Sequence, residues 1–240
     1  MNIVAVHYAP GQGEAMVETL AGALDKTPYE ARARLSAPEG GPVVVASFAE
    51  IEPAWILAGR LRVNGVRPIL LTPDDIESDA QRFLVRGFEL GEGGLTAVSR
   101  RGESTGVAWK DVDLLLRGTR IAKKVELEDT GGFRMAQARR KPRQVTREER
   151  DDFFHLYSMG QPPLVFRAND LDYRSLGPAL HPSVAENFGL LLAELRRLLP
   201  HARYDERLVN RLSRARVLGP SLTEDHLDIA VSLVARVLRT

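Results

Sequence analysis

The sequence contains no cysteine. This absence excludes disulfide bonds, thiolate nucleophiles and zinc or iron–sulfur sites that depend on cysteine. It therefore also excludes the enzyme classes that use an active-site thiol. Because nothing in the chain requires an oxidising compartment, a cytoplasmic location is expected.

Long apolar runs and an excess of one charge are also absent from the 240-residue chain. No stretch approaches the roughly 20 apolar residues of a membrane-spanning helix, and the N-terminus lacks the basic and apolar regions of a signal peptide. Lysine and arginine number 33 against 32 acidic residues, which gives a net charge of +1. The overall charge therefore gives no reason to expect nucleic acid or acidic lipid as a partner.

The first third of the chain contains three short apolar runs separated by helical patterns. The runs predict buried strands, and they lie at 3–6, 43–46 and 68–71. The helical patterns cover 13–24, 27–36 and 50–63. Thr27 is an N-cap signal for the second helix, with Pro28 and Glu30 behind it. Trp55 and Ile56 are predicted to face inward on the third helix, so the order is β-α-α-β-α-β.

This order and the closing sequence RLRVNGVRPILLT resemble the C-terminal domain of the bacterial ribosomal stalk protein. The protease adaptor that recognises N-terminal degradation signals shares that fold. The resemblance covers residues 1–75 and implies a compact module of the stalk type. The stalk domain contacts translation factors through a helix rich in lysine and glycine. The corresponding segment here, TPYEARARL, has Arg32 and Arg34 but no lysine, so the resemblance implies the fold and no functional residue.

From Phe83 onward the apolar period changes to two, which predicts an antiparallel β-meander. The phrase GVAWKDVDLLLRGTRI and the later LVFRANDLDYRSLGPALHPSVAENFGLLLAELRRLLP resemble the small bacterial pleckstrin-homology-like domains. This resemblance implies a β-domain, a small barrel or a sheet, over residues 80–200. A basic hairpin or loop at about 123–150 interrupts it, with a predicted tip at 130–132.

Capping patterns predict the remaining helices. Thr146 with Glu149 predicts a helix over 147–159, and Ser183 with Glu186 predicts one that ends before Pro200. A further helix is predicted over 204–217, and a terminal helix is predicted to open with Ser221 and Glu224. Residues 201–240 are expected to pack as helices on the β-domain. The predicted fold class is α+β, with an N-terminal β-α-α-β-α-β module followed by an antiparallel β-domain closed by C-terminal helices.

Motifs with catalytic or metal-binding spacing are absent. The turn APGQGEA lacks the lysine and hydroxyl residue of a phosphate loop. The five histidines, at 7, 155, 181, 201 and 226, show no helical metal-site spacing. Paired aspartates such as Asp170 and Asp172 are interpreted as turn residues. No cofactor or metal is therefore predicted, and both Trp55 and Trp109 are interpreted as core residues.

One local feature departs from the average, a basic run in the interrupting segment. The candidate binding residues are Arg134, Arg139, Arg140, Lys141 and Arg143. They could contact phosphates of nucleic acid or of anionic lipid. Such binding would weaken with salt and would be lost in a variant with alanine at 139, 140 and 141. The alternative is a solvated loop with no partner.

The leading hypothesis from the sequence is a non-enzymatic binding or adaptor protein with a protein partner. Attachment to a membrane surface or to nucleic acid through the basic run is the second hypothesis. The third is an enzyme whose site is assembled from separate elements. A deep pocket in which His155 or His181 approaches two carboxylates would favour that third hypothesis.

Overall fold

Ten strands and six α-helices make up the described part of the chain, which is residues 1–35, 37, 39–128 and 143–240 of a computed structural model. The strands are β1 (Asn2–Val6), β2 (Val43–Phe48), β3 (Pro68–Leu71), β4 (Phe83–Leu90), β5 (Gly94–Ser99), β6 (Ser104–Ala108), β7 (Val112–Glu128), β8 (Arg143–Ser158), β9 (Leu164–Arg167) and β10 (Arg203–Leu208). The helices are α1 (Val17–Leu24), α2 (Pro28–Arg34), α3 (Ile51–Val63), α4 (Val184–Leu198), α5 (Arg211–Leu218) and α6 (Leu227–Arg239). The fold class is α+β, as predicted.

The N-terminal element order β-α-α-β-α-β is confirmed. β1 lies in the centre of a three-stranded sheet and pairs antiparallel with both β2 and β3. The Thr27 side chain accepts a hydrogen bond from the Glu30 backbone N–H, and the Glu30 carboxylate accepts one from the Thr27 backbone N–H. Gly65, with φ +79°, follows the end of α3 in the left-handed conformation.

The remaining strands form a seven-stranded sheet in the order β10-β7-β8-β9-β4-β5-β6. The predicted meander is present as β4, β5 and β6, which pair antiparallel. The sheet as a whole is mixed rather than antiparallel, because β10 runs parallel to β7 and β9 runs parallel to β4. Its end strands, β10 and β6, do not pair with each other in the described structure, so it is a sheet and not a closed barrel.

β7 and β8 continue beyond the other strands as a two-stranded ribbon. From Thr119↔Asp152 to Glu128↔Arg143 they pair only with each other within the described residues. Ten residue pairs at ~3.4 Å per residue give the ribbon a length of about 34 Å. The chain between its ends, residues 129–142, includes the predicted hairpin tip at 130–132 and lies outside the described residues.

Helices and sheets alternate in layers, and three buried clusters lie between them. Helices α1, α2 and α3 cover one face of the small sheet. α5 and α6 lie between its other face and the large sheet, and α4 covers the far face of the large sheet. The small sheet and the β7–β8 part of the large sheet are therefore buried on two faces, and the C-terminal helices pack on both sheets. Along β1, for example, Ile3 and Ala5 contact the middle cluster, whereas Val4 and Val6 contact the outer one.

The helix predicted over 147–159 is wrong, because these residues belong to β8. Phe154 and Leu156 face the cluster under α4, whereas Phe153 and Tyr157 face α6. A central strand buried on both faces has a nearly continuous apolar run. Such a run satisfies a helical spacing as well as a strand spacing, so periodicity alone does not distinguish the two.

Two other predicted helix boundaries also change. The helix predicted over 204–217 is half strand, because β10 occupies the first part and only α5 is helical. The terminal helix is confirmed, but the capping box before it is formed by Thr223 and His226 rather than by Ser221 and Glu224. None of the helices within the described residues combines the length and the apolar composition needed to cross a membrane.

Candidate functional site

A shallow apolar groove lies beside α3 on the outer surface of the N-terminal module. It has a volume of about 420 Å³ and is named here the α3 groove. Its apolar lining comes from the end of α1, from β2 and from the first half of α3, and includes Leu24, Phe48, Pro53, Ile56 and Leu57. Its charged lining residues are Asp25, Lys26, Arg34 and Arg60.

Local structure places these charges around the groove. α1 ends at Leu24, and its C-cap residue Asp25 adopts the left-handed conformation with φ 53°, a conformation that aspartate tolerates better than most residues. The chain then turns sharply into α2, whose last residue is Arg34. Arg60 reaches across from α3 and donates to Asp25 Oδ2 at 3.1 Å.

The exposed face of α3 corrects a prediction. Trp55 and Ile56 were predicted to face inward, but they are 60% and 61% exposed. The inward face is formed by Ala54, Leu57, Ala58 and Leu61. Trp109, by contrast, is buried in the core of the large sheet, as predicted. The helix therefore presents large apolar side chains to solvent, and one of them, Ile56, also lines the groove.

Of the three cations in the groove, Arg34 differs in having no carboxylate partner among the described residues. Lys26 Nζ lies 3.6 Å from Glu30 Oε1, and Arg60 pairs with Asp25. Arg34 Nη1 donates to the Glu30 backbone oxygen at 3.1 Å. Its Nε is buried and makes no hydrogen bond to the described residues, so the guanidinium retains unused donors.

A second concave site lies between the large sheet and the start of α6. This cavity of about 340 Å³ is named here the His155 cavity. Charged residues from distant parts of the chain line it, among them Asp79, Arg82, Arg120, Arg167, Arg214 and Asp228. Their meeting depends on the packing of α6 against β8 and of the segment before β4 against both.

Arg82 is the centre of the ion pairs in this cavity. Its side chain is 2% exposed, and Nη1 donates to Asp228 Oδ1 at 2.6 Å and lies 3.5 Å from Asp79 Oδ1. Arg167 Nη2 donates to both oxygens of Asp79 at 2.7 Å. Burial alone would raise the pKa of Asp79, but the hydrogen bonds and charge of Arg167 outweigh it and the pKa is lowered.

His155 is 3% exposed and forms a short polar chain with two other residues. Its Nδ1 lies 3.4 Å from the Tyr157 hydroxyl, which donates to Glu77 Oε2 at 3.1 Å. Burial, together with the positive charges of Arg82 and Arg167, holds the pKa of His155 well below its usual value. Burial and the Glu77 carboxylate raise the pKa of Tyr157 well above its usual value. At neutral pH the imidazole is therefore neutral and the phenol keeps its proton.

Comparisons with protein-family models, with curated proteins and with solved structures found no match. The interpretation of the two sites therefore depends on their own geometry.

Of the five predicted binding residues, only Arg143 lies within the described part of the chain. Arg134, Arg139, Arg140 and Lys141 lie outside the described residues, and Arg143 is the first residue of β8, opposite Glu128. Attachment through this basic run therefore stays a prediction. No group of three or more histidine, aspartate or glutamate residues in the described ranges is placed to hold a metal ion.

The structure does bring His155 into one cavity with Asp79 and Asp228. Both carboxylates pair with arginine rather than with the imidazole. His181 does not line this cavity, and its Nδ1 lies 3.6 Å from Glu186 Oε2 instead. The enzyme hypothesis stays a prediction.

Sequence reasoning missed the arginines of both sites. Arg82 stands just before a predicted strand and Arg34 lies in the last turn of a predicted helix, and both positions are ordinary places for a solvated charge. Arg82 meets Asp228 across 146 residues of sequence. No spacing pattern within one element could have indicated that contact.

Proposed function

We propose that this chain is a non-enzymatic binding protein, an adaptor that holds a segment of a partner protein in the α3 groove. One observation carries the proposal: Ile56, which lines the apolar groove, is 61% exposed, and the preceding residue on the same helix, Trp55, is also exposed. Large apolar side chains that are exposed next to a concave surface are typical of protein-interaction sites. Binding in the groove would remove the Ile56 side chain from water.

The charges around the groove indicate the chemistry of the partner segment. Three cations and one carboxylate line it. Arg34 has spare donors and no carboxylate partner in the described part of the chain. A guanidinium in this state is a good partner for a carboxylate. The segment we propose therefore carries an apolar side chain next to an aspartate, a glutamate or a C-terminal carboxylate.

Two further points support an adaptor. The β-α-α-β-α-β order agrees with the resemblance to the stalk and protease-adaptor fold, a fold that serves recognition in those proteins, although fold alone does not determine function. We place the interaction in the cytoplasm, where a chain without cysteine loses no stabilising bond to reducing conditions.

Selection from a random peptide library displayed on phage, with the full-length protein as bait, tests the proposal. We expect the selected peptides to combine an apolar residue with a neighbouring acidic residue. Ile56→Glu places a charge inside the groove, and we expect it to weaken binding of a selected peptide by at least about tenfold, roughly 1.4 kcal/mol. Arg34→Ala is expected to weaken the binding of peptides that carry the acidic residue. It should weaken the binding of versions in which that residue is replaced by its amide to a lesser extent.

The matched control is Val63→Glu. Val63 is 88% exposed on the same helix but does not line the groove, so this variant is expected to bind like the wild type. Selected peptides that bind Ile56→Glu as tightly as the wild type would show that the groove is not the binding site. Failure to select any peptide would also contradict the proposal.

A further inference from the structure

The His155 cavity contains buried hydrogen-bond donors that the described residues do not satisfy. Arg82 Nε and Nη2 and Arg214 Nε are buried without a hydrogen bond, and both arginines line the cavity. Arg82 Nε lies 3.9 Å from Glu77 Oε2, which is beyond hydrogen-bond length. Buried polar atoms without partners are uncommon in folded proteins, and an unoccupied ligand or ion site is one of their ordinary causes.

Three of the four carboxylates that line the cavity already pair with arginine, and the fourth, Asp225, makes no ion pair with the described residues. Asp79 is bound by Arg167 through both oxygens, and Asp228 is bound by Arg82. Glu224 pairs with Arg211 and with Arg214. The exposed side chain of Arg120 also lines the cavity, makes no hydrogen bond to the described side chains and interacts electrostatically with Asp151, which lies opposite it on β8. The buried guanidinium donors of Arg82 and Arg214 therefore remain available to an acceptor-rich group.

His155 offers a ligand a hydrogen-bond acceptor, whereas the arginines offer donors. The only proton of the Tyr157 hydroxyl is donated to Glu77. The hydroxyl oxygen can therefore only accept from His155, and Nδ1 must carry the imidazole proton. Because the imidazole is neutral, its Nε2 has a lone pair, and this atom makes no hydrogen bond to the described residues. A ligand that fits the cavity would supply a hydrogen-bond donor to that nitrogen.

We propose that the His155 cavity binds phosphate, either as the free ion or as the phosphate group of a small molecule. The arginines bind the charged oxygens, and His155 Nε2 accepts a hydrogen bond from a protonated phosphate oxygen or from a hydroxyl of the attached molecule. The volume of about 340 Å³ corresponds to roughly eleven water molecules at ~30 Å³ each. That is more than a bare phosphate fills, so the cavity has room for a small organic group attached to it.

The lone pair on His155 predicts a preference that distinguishes this site from a general anion site. At pH 8 inorganic phosphate keeps one hydroxyl, whereas sulfate has the same shape and no hydroxyl. Phosphate can therefore satisfy the arginines and His155 together, but a sulfate oxygen would meet the histidine lone pair without a proton between them. A site with a polar group that lacks a partner rejects the analogue that cannot pair with it.

Isothermal titration at pH 8 and constant ionic strength, with the full-length protein, tests the proposal. The probes are inorganic phosphate, sulfate and glycerol 3-phosphate. We expect saturable binding of phosphate at one site and binding of sulfate at least about tenfold weaker. Tighter binding of glycerol 3-phosphate than of phosphate would identify the ligand as a phosphate monoester, and tighter binding of phosphate would identify it as the free ion.

Three variants locate the site. His155→Phe removes the acceptor and is expected to abolish the preference for phosphate over sulfate. Arg120→Ala, at an exposed position where folding is not at risk, is expected to weaken the binding of phosphate and the binding of sulfate by similar factors. Arg101→Ala is the matched control, because Arg101 is an exposed arginine in the turn between β5 and β6 and does not line the cavity. We expect it to bind phosphate like the wild type.

Absence of saturable phosphate binding to the wild type would overturn the proposal, and so would equal affinity for phosphate and sulfate. An equal effect of Arg101→Ala and Arg120→Ala would do so as well. These outcomes do not require His155→Phe to fold. The α3 groove shares no lining residue with this cavity, so failure of either proposal leaves the other standing.

Discussion

His155 shows how strongly its surroundings determine the chemistry of one residue. The sequence places it among four large apolar side chains, Phe153, Phe154, Leu156 and Tyr157, and gives no sign of a polar environment. In the fold its ring lies beside a phenol on its own strand and two arginines from other segments. The neutral state of the ring follows from burial first and from the arginines second.

The stability of the protein should depend on pH through this histidine. Because the pKa of His155 is lowered in the folded state, the unfolded chain binds a proton below about pH 6.5 that the folded chain does not bind. This contribution to stability is therefore complete above about pH 6.5 and is lost as the pH falls below it. The loss is at most about 1.4 kcal/mol per pH unit for a single group.

Urea unfolding of the wild type and of His155→Gln at pH 8, 6 and 5 measures this effect. We expect the free energy of unfolding of the wild type to fall more steeply between pH 6 and pH 5 than that of the variant. Asp79, whose pKa is lowered from 3.8, titrates below this range and affects both proteins alike. Parallel pH profiles for the two proteins would mean that His155 is not buried in its neutral form.

At the scale of elements, the N-terminal module could be predicted from the sequence because its signals are local. The Thr27 capping box and the left-handed Gly65 mark helix ends within one or two residues of where the structure has them. β10 could not be predicted in this way. It is a charged strand at the end of the sheet, with the sequence RYDERL, and its parallel pairing with β7 is a long-range contact that leaves no periodic pattern.

The link between α5 and the small sheet depends on one glycine. Gly219 follows α5 with φ +65°, and a Cβ there would lie 2.2 Å from the Val44 backbone oxygen on β2. Gly219→Ala is therefore expected to destabilise the protein by about 2 kcal/mol or more, because the positive φ and the close contact both oppose a side chain. Gly22→Ala is the control, since Gly22 lies within α1 with open space around it.

We expect Gly22→Ala to stabilise the protein by about 0.5–1 kcal/mol, the usual gain for alanine over glycine inside a helix. The midpoint of urea unfolding measures both changes. Equal midpoints for Gly219→Ala and the wild type would contradict the close approach of α5 to β2.

At the scale of the whole molecule, α6 lies with α5 between the two sheets. Its buried residues belong to one cluster with Ile3, Val44 and Leu71 of the small sheet and with Leu114 and Leu116 of the large one. A fragment of residues 1–75 would leave that face of the small sheet in water. The sequence could not indicate this, because the apolar pattern of α6 shows that one face is buried but does not show against what.

We therefore expect the chain to unfold as one cooperative unit rather than as separate N-terminal and C-terminal units. Amide hydrogen exchange across a urea series measures this, with β1 and β7 as reporters for the two sheets. Leu233→Ala, in the middle of α6 at a fully buried position, should lower the stability reported by both strands by the same amount, about 2–5 kcal/mol. Gly22→Ala should raise the stability reported by the two strands equally, although Gly22 lies in α1 and far along the chain from β7. If β1 loses protection at a lower urea concentration than β7 in the wild type, the shared core does not couple the two sheets, and residues 1–75 would then be a unit that folds on its own.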